Sequence, residues 1–141
     1  MNPVVKKLTS KYHTHNPYEI AQCLGFIIIY APLVGIRGFY QHIKRNHIIY
    51  LDDSLDEATS RFVCGHELGH ALLHKSMNRI FMDTRTLSVS SKYETQANQF
   101  AVDLIYSDED LLEYQDCTIS QIAYSLGLPE SLVEYRLSAI K

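Results

Sequence analysis

The stretch GHELGHALLH at residues 65–74 constrains the fold of this chain more than any other. It contains HELGH, which matches the pattern H-E-x-x-H. Residues four apart share one face of a helix and lie about 6 Å apart along its axis. Two imidazoles at that spacing, those of His66 and His70, can bind one metal ion, with Zn–N distances of about 2.1 Å. The motif therefore predicts a helix that carries half of a metal site.

Two other residues of this stretch are predicted to play different roles. Glu67 is rotated by about 100° from His66, so it need not bind the metal. Its carboxylate can instead take a proton from a water at the ion, as a catalytic acid/base. His74 lies about 12 Å along a straight helix from His66, so both cannot bind one ion. His74 is predicted as a helix C-terminal residue favoured by the helix dipole, with the rim of the site as the alternative.

A third metal ligand must come from elsewhere, because a catalytic zinc site has three protein ligands and one open position. The best candidate segment is YETQANQFA at residues 93–101, where Glu94 and Asn98 share a helical face. Glu94 can complete a His₂Glu site, and Asn98 can accept a proton from the outer nitrogen of a ligating histidine. Two alternatives stay open: Glu94 also fits a capping box with Ser91, and Asp103 is a weaker candidate ligand.

The N-terminal half predicts one helix and a small sheet. Residues before Asn16 are polar and are predicted to be loosely ordered. Asn16 is the predicted N-cap of a short helix at 16–25. FIIIY at 26–30 predicts a buried strand, and residues 36–51 predict a β-hairpin around KRN. This hairpin either offers a strand edge that holds an extended peptide or serves only as sheet scaffold.

The remaining elements are helical. The H-E-x-x-H helix is predicted to begin at a capping box formed by Ser54 and Glu57 and to run to about His74. A long connection with strand-like pieces follows at 75–91, and a second helix spans 90–106. The predicted fold class is therefore α+β: a small, mainly antiparallel sheet packed against the H-E-x-x-H helix and a second ligand-bearing helix, with a C-terminal helical pair.

The C-terminal pair, residues 118–141, resembles a helix-turn-helix. Binding to DNA would need cations on its second helix, which offers only Arg136 and Lys141 beside two glutamates. The sequence thus predicts packing or substrate docking rather than direct nucleic-acid binding. In domain terms, we expect residues 1–116 to form one domain around the zinc site and residues 117–141 to form a helix-turn-helix-like tail packed on it.

Composition narrows the class of protein. The chain has 141 residues and a net charge of −3, which fits one globular domain and not a general nucleic-acid binder. Its 3 cysteines are widely spaced and odd in number, which favours reduced thiols in a cytoplasmic protein. The longest apolar run, at 26–36, is too short to span a membrane.

Two segments carry a resemblance to a known family. RFVCGHELGHALLH at 61–74, followed by YETQANQFAVDLI at 93–105, resembles the ImmA/IrrE family of metallopeptidases. The resemblance covers about residues 16–106, because the upstream helix, hairpin and acidic turn follow the family's order. The paired motifs are specific, whereas each motif alone is not.

The resemblance implies a gluzincin-like zinc site. Its metal ligands would be His66, His70 and Glu94, with Glu67 as the catalytic acid/base. Asn98 lies where related enzymes often carry an aspartate that hydrogen-bonds a ligating histidine. A neutral amide holds an imidazole less strongly than a carboxylate does, so this departure weakens the orienting contact but leaves the ligands unchanged.

The resemblance also implies a biological role. Family members from phages and integrative elements cut a repressor, or promote its cutting, and others cleave a DNA-binding regulator in bacterial stress responses. We therefore expect a cytoplasmic, zinc-dependent endopeptidase that cleaves a specific intracellular protein, a phage or mobile-element repressor. The alternative is a non-catalytic, metal-binding regulator that sequesters a repressor by protein–protein interaction.

Overall fold

The computed structural model describes residues 1–74, 81–84 and 91–140. Within these ranges the chain has two helices, three strands, a helix, a fourth strand and then four helices. The helices are α1 (Pro3–Tyr12), α2 (Pro17–Cys23), α3 (Glu57–Leu73), α4 (Ser91–Ile105), α5 (Asp108–Leu112), α6 (Ile119–Leu126) and α7 (Glu130–Ser138). The strands are β1 (Ile27–Ala31), β2 (Ile36–Ile43), β3 (Asn46–Asp52) and β4 (Phe81–Thr84). Most of the predicted connection at 75–91 lies outside the described residues.

The four described strands form one sheet in the order β1-β3-β2-β4. The hairpin prediction is confirmed, because β2 pairs antiparallel with β3 around a turn in which Lys44 adopts a φ of 55°. β4 also pairs antiparallel with β2, whereas β1 runs parallel to β3. The sheet is thus mainly antiparallel, and the predicted α+β class is confirmed.

The prediction for β1 was wrong in one respect. FIIIY was expected to be buried, yet β1 is an edge strand with Ile27 46% and Tyr30 55% exposed. Sequence composition cannot separate a central strand from an edge strand, since both favour β-branched residues. The 36–51 hairpin, one of whose predicted roles was a free strand edge for a peptide, also lies inside the sheet. Strands β2 and β3 have neighbours on both sides, and the edges of the described sheet are β1 and β4.

The prediction of loose order before Asn16 was also wrong, because this segment contains helix α1. The Asn2 side chain caps α1, and the Asn2 backbone N–H donates to the Asp103 carboxylate at 2.9 Å. Val5 and Leu8, three residues apart on one face, are buried in the core. Two apolar residues suffice here because the rest of the fold supplies the surface against which they pack.

The start of α3 differs slightly from its prediction. The N-cap is Asp56, whose carboxylate accepts from the Thr59 backbone N–H at 2.7 Å. The Ser54 hydroxyl instead donates to the side chain of Asp52. Aspartate and serine are comparable N-caps, so the local sequence alone did not decide between them. The predicted helix end is close, because His74 is the C-cap residue of α3.

Helices α3 and α4 approach closely because α3 carries two glycines on the contact face. A Cβ at Gly69 would lie 3.1 Å from the Phe100 side chain, and one at Gly65 would lie 3.2 Å from the Ala101 Cβ. Both neighbours on α4 are completely buried. Glycine therefore sets the short distance between the helix with the H-E-x-x-H motif and the helix with the third candidate ligand.

The C-terminal pair packs on α4 through α7. Gly127 ends α6 in the left-handed conformation, with a φ of 70°, and so permits the turn into α7. Arg136 of α7 is 2% exposed, and its guanidinium donates to the Tyr106 carbonyl at 2.8 Å and pairs with Asp108 at 2.6 Å. This cation therefore holds the tail against the end of α4. None of the helices in the described ranges is long and apolar enough to cross a membrane.

Candidate metal centre

Three predicted ligands meet where α3 and α4 pack together. The Nε2 atoms of His66 and His70 are 3.2 Å apart. The Glu94 carboxylate approaches both rings, with Oε1 2.7 Å from His70 Nε2 and Oε2 3.2 Å from His66 Nε2. The two histidines are 1% exposed. The three side chains thus converge on one point from two helices.

The geometry of this cluster fits a tetrahedral zinc ion. Two nitrogens bound to zinc at about 2.05 Å with a tetrahedral angle are about 3.3 Å apart. The observed Nε2–Nε2 distance between His66 and His70 is 3.2 Å. Two imidazoles and one carboxylate are also the donor set of many catalytic zinc sites, which leave the fourth position open. These residues can therefore hold a divalent metal ion once Glu94 Oε1, which lies 2.7 Å from His70 Nε2, moves slightly outward to ligand distance.

The protonation states of the cluster favour a cation. Burial alone would raise the pKa of Glu94, but hydrogen bonds from His66 and His70 outweigh burial and hold that pKa at about 2. For His70, burial lowers the pKa and the neighbouring imidazoles lower it further, against the opposing effect of Glu94. The carboxylate is thus ionised and His70 favours its neutral form, as metal binding requires.

The outer nitrogen of His66 meets the side chain of Asn98. Asn98 Oδ1 lies 2.7 Å from His66 Nδ1. An amide oxygen can only accept, so His66 Nδ1 donates, and a metal ion bound between the three side chains would take the Nε2 lone pair of His66. The structure therefore places Asn98 next to a candidate ligand, on the same helix face as Glu94.

Two alternatives to Glu94 as the third ligand were left open: Asp103 as the ligand, and a capping role for Glu94 itself. Asp103 is completely buried on the other side of α4, where it accepts from the Tyr135 hydroxyl at 2.6 Å and from the Asn2 backbone. It is thus used in joining α1, α4 and α7. The predicted capping box of Ser91 and Glu94 depends on the Ser91 side chain, which lies outside the described residues.

Glu67 and Cys64 lie beside the cluster with different chemistry. Glu67 is completely buried, with Oε2 4.0 Å from His66 Nε2, so its carboxylate borders the site without joining the ligand group. Burial, assisted by the charge of Glu67, raises the pKa of the Cys64 thiol to about 12. Cys64 therefore stays protonated at neutral pH and fills the core.

His74 lies behind His70, a contact that the sequence analysis did not assign. The Nδ1 atoms of His70 and His74 are 3.0 Å apart, and His74 Nε2 lies 2.9 Å from Gln96 Oε1. His74 is 5% exposed and its ring centroid lies 4.5 Å from that of Tyr93. The signal was present in the sequence, since His74 follows His70 by the same four residues that separate His70 from His66.

A cleft of about 420 Å³ opens beside the cluster, between α3, α4 and the C-terminal pair. Phe62 and Asn98 line its inner side, and Tyr124 and Leu132 line it from α6 and α7. Asn98 therefore belongs both to the cleft and to the surroundings of His66. The tail thus forms one wall of a cleft that is bordered by Asn98, the residue hydrogen-bonded to His66.

Known proteins share this sequence over most of its length. Residues 21–138 match the family Peptidase M78, described as the IrrE N-terminal-like domain. The chain is 42% identical over 141 residues to "Uncharacterized immunity region protein 2" of Bacillus phage phi105, covering 97% of this chain and 89% of that protein. It is 32% identical over 142 residues to "Metallopeptidase ImmA" of Bacillus subtilis (strain 168), covering 96% and 83%. The resemblance seen in the paired motifs is thus confirmed, and the chain belongs to the ImmA/IrrE family of metallopeptidases.

Proposed function

We propose that this protein is a zinc-dependent endopeptidase that cleaves a specific intracellular protein, a phage or mobile-element repressor. The convergence of His66, His70 and Glu94 on one point carries the enzymatic part of this proposal. The phage relative is named for an immunity region, which supports a repressor as the substrate. The second relative is named a metallopeptidase, which supports hydrolysis.

The proposed mechanism assigns proton transfer to Glu67. When bound, zinc supplies Lewis acidity towards water and the scissile carbonyl. Glu67 takes a proton from the attacking water as the new C–O bond forms, and it passes that proton to the amine nitrogen as the C–N bond breaks. The position of Glu67 supports this role, because its Oε2 atom lies 4.0 Å from the Nε2 atom of His66. Glu94 contributes a fixed negative charge, and the two histidines contribute neutral nitrogens.

The cleft beside Asn98 supports a polypeptide segment as the substrate. Its volume of about 420 Å³ suits a few side chains rather than a folded domain. Phe62 and Tyr124 give it an aromatic part, which suits apolar side chains, and Arg37 and Asp56 give it a charged part. We infer that the substrate enters as an extended or locally unfolded segment, with the C-terminal pair, the proposed tail of residues 117–141, as one wall.

Direct nucleic-acid binding does not form part of this proposal. The second helix of the tail presents Arg136 to Tyr106 and Asp108 rather than to a phosphate. We propose a cytoplasmic location, because the proposed substrate is a protein inside the cell. The three cysteines are free thiols, which agrees with that compartment.

The test uses the zinc-loaded protein and the repressor-like protein encoded beside its gene. We expect wild type to cleave this substrate, and Glu67→Gln to bind zinc normally but to cleave at less than about 1% of the wild-type rate. The control is Glu113→Gln, the same change at an exposed glutamate of the α5 end. Full activity of Glu67→Gln would rule out the assigned proton transfer.

The same experiment separates hydrolysis from sequestration. If zinc-loaded wild type forms a stable complex with the repressor and releases no fragments, then the non-catalytic regulator is the better explanation. If wild type cleaves and Glu67→Gln forms the complex without cleaving it, then the endopeptidase is supported. Mass spectrometry of the fragments identifies the scissile bond in that case.

A further inference from the structure

A chain of three side chains leads away from the candidate metal centre. His70 turns Nε2 towards Glu94 and Nδ1 towards His74, with 3.0 Å between the two Nδ1 atoms. His74 turns Nε2 towards Gln96 Oε1 at 2.9 Å. Both histidines are buried, and Gln96 lies on α4 two residues after Glu94. The chain therefore connects α3 back to the helix that supplies the third candidate ligand.

The proton positions along this chain can be derived from either end. A histidine that binds a metal through Nε2 carries its proton on Nδ1, so His70 Nδ1 must donate to His74 Nδ1. His74 then keeps a lone pair on Nδ1 and a proton on Nε2. At the far end, Gln96 Oε1 can only accept, so His74 Nε2 must donate. The two ends demand the same tautomer of His74, and no donor or acceptor is mismatched.

We propose that His74, oriented by Gln96, is a positioning residue that fixes the tautomer and ring orientation of His70 for metal binding. This inference rests on the proposed zinc centre. Acceptance of the Nδ1 proton makes the opposite nitrogen of His70 a more basic ligand and prevents rotation of its ring. Hydrogen bonds in such a chain polarise one another, so Gln96 strengthens the contact between the two imidazoles.

This arrangement matches the one around the other candidate ligand. His66 donates from Nδ1 to Asn98 Oδ1 at 2.7 Å, and His70 donates from Nδ1 to His74. Both outer nitrogens therefore meet neutral acceptors. Neither Asn98 nor His74 adds negative charge to the site, and among the described residues Glu94 is the anion of the ligand group.

A merely structural role for His74 is the competing explanation. His74 is the C-cap residue of α3 and packs against Tyr93, so its removal could affect the fold without any effect on His70. His74→Phe separates the two, because phenylalanine keeps the ring contact and lacks the acceptor nitrogen. Gln96→Leu perturbs the chain one step further out, with Gln99→Leu as the matched control on the same helix.

The experiment measures zinc affinity of the full chain by competition with a chromophoric chelator. We expect His74→Phe to weaken zinc binding by about 10- to 100-fold and Gln96→Leu by a smaller factor. Gln99→Leu should leave it unchanged. Gln96→Glu keeps an acceptor for His74 Nε2, so it should bind zinc at least as tightly as wild type. Wild-type affinity in both His74→Phe and Gln96→Leu would overturn the proposal.

A spectroscopic readout tests the tautomers directly. Long-range proton–nitrogen correlation spectra of histidine-labelled protein show which ring nitrogen carries a proton. In the zinc-loaded protein we expect the proton on Nδ1 of His70 and on Nε2 of His74. The opposite tautomer of His74 would contradict the proposal, even if the His74→Phe variant failed to fold.

One further variant separates this inference from the metal centre itself. His70→Ala should lose most of the zinc affinity, since it removes a ligand. If His70→Ala binds zinc like wild type, then the zinc centre is wrong and the positioning role falls with it. If His70→Ala loses zinc while His74→Phe and Gln96→Leu retain it, then only the positioning role is wrong.

Discussion

Gly69→Ala tests whether the close approach of α3 and α4 builds the metal centre. The added methyl would lie 3.1 Å from three atoms of the Phe100 side chain, which is tighter than ordinary van der Waals contact. Phe100 is completely buried, so its ring has little room to move aside. The strain must therefore push α4 away from α3 by a few tenths of an ångström, and Glu94 lies on α4.

Two opposing terms set the magnitude of this effect. Alanine is favoured over glycine in a helix interior by about 1 kcal/mol. Overpacking a tight core costs about 1–3 kcal/mol. For Gly69→Ala we expect packing to win, with a net loss of about 1 kcal/mol in the free energy of unfolding of the metal-free protein. Zinc affinity should fall as well, because a displaced Glu94 no longer meets both histidines at ligand distance.

Urea denaturation and chelator competition measure these two quantities. The difference between Arg61→Ala and Arg61→Gly, at a side chain of α3 that is 40% exposed, measures the propensity difference without a buried contact. The reasoning is refuted if Gly69→Ala stabilises the metal-free protein by about 1 kcal/mol and leaves zinc affinity unchanged. That result would mean that the helices can separate without cost and that glycine is not needed for the site.

Three further predictions follow from burial and charge. Without metal, the free energy of unfolding should fall as pH drops below about 6.5, because His70 takes up a proton in the unfolded chain but not in the folded one. It should fall again between pH 4.5 and about 2, because Glu94 is protonated more readily in the unfolded chain. A free energy of unfolding that does not change with pH would contradict this. Asp103→Ala should destabilise the fold by about 2–3 kcal/mol in urea, because it removes the charged acceptor of two part-buried hydrogen bonds, from the Asn2 backbone and the Tyr135 hydroxyl. Cys64 should resist a thiol reagent in the folded protein while exposed Cys23 reacts; equal labelling rates would refute its burial.

Much of the site could be predicted because it depends on spacing along helices. The four-residue interval between His66 and His70, and the same interval between Glu94 and Asn98, fix which side chains share a face. The α2 cap at Asn16 and the turn after Gly127 were also local, and the structure has both. The paired motifs then identified the family.

Other features depend on contacts beyond a single element. The first helix has in Asn2 and Pro3 the same start signal as α2, but it is short and mostly polar, and burial of Val5 and Leu8 against distant residues holds it in place. The edge position of β1 depends on which strand lies next to it. Periodicity describes one element at a time, whereas burial depends on the neighbours of that element.

By itself, then, the sequence determined the half-sites: one helix face with His66 and His70 and another with Glu94, each set by the pitch of the α-helix. Only the tertiary structure decided how those faces meet. Close packing at Gly69 brings α4 against α3, and that contact gives His74 its partner Gln96. The physical reason is that helix pitch is a property of the local backbone, whereas the distance between helices is set by side-chain volumes from distant parts of the chain.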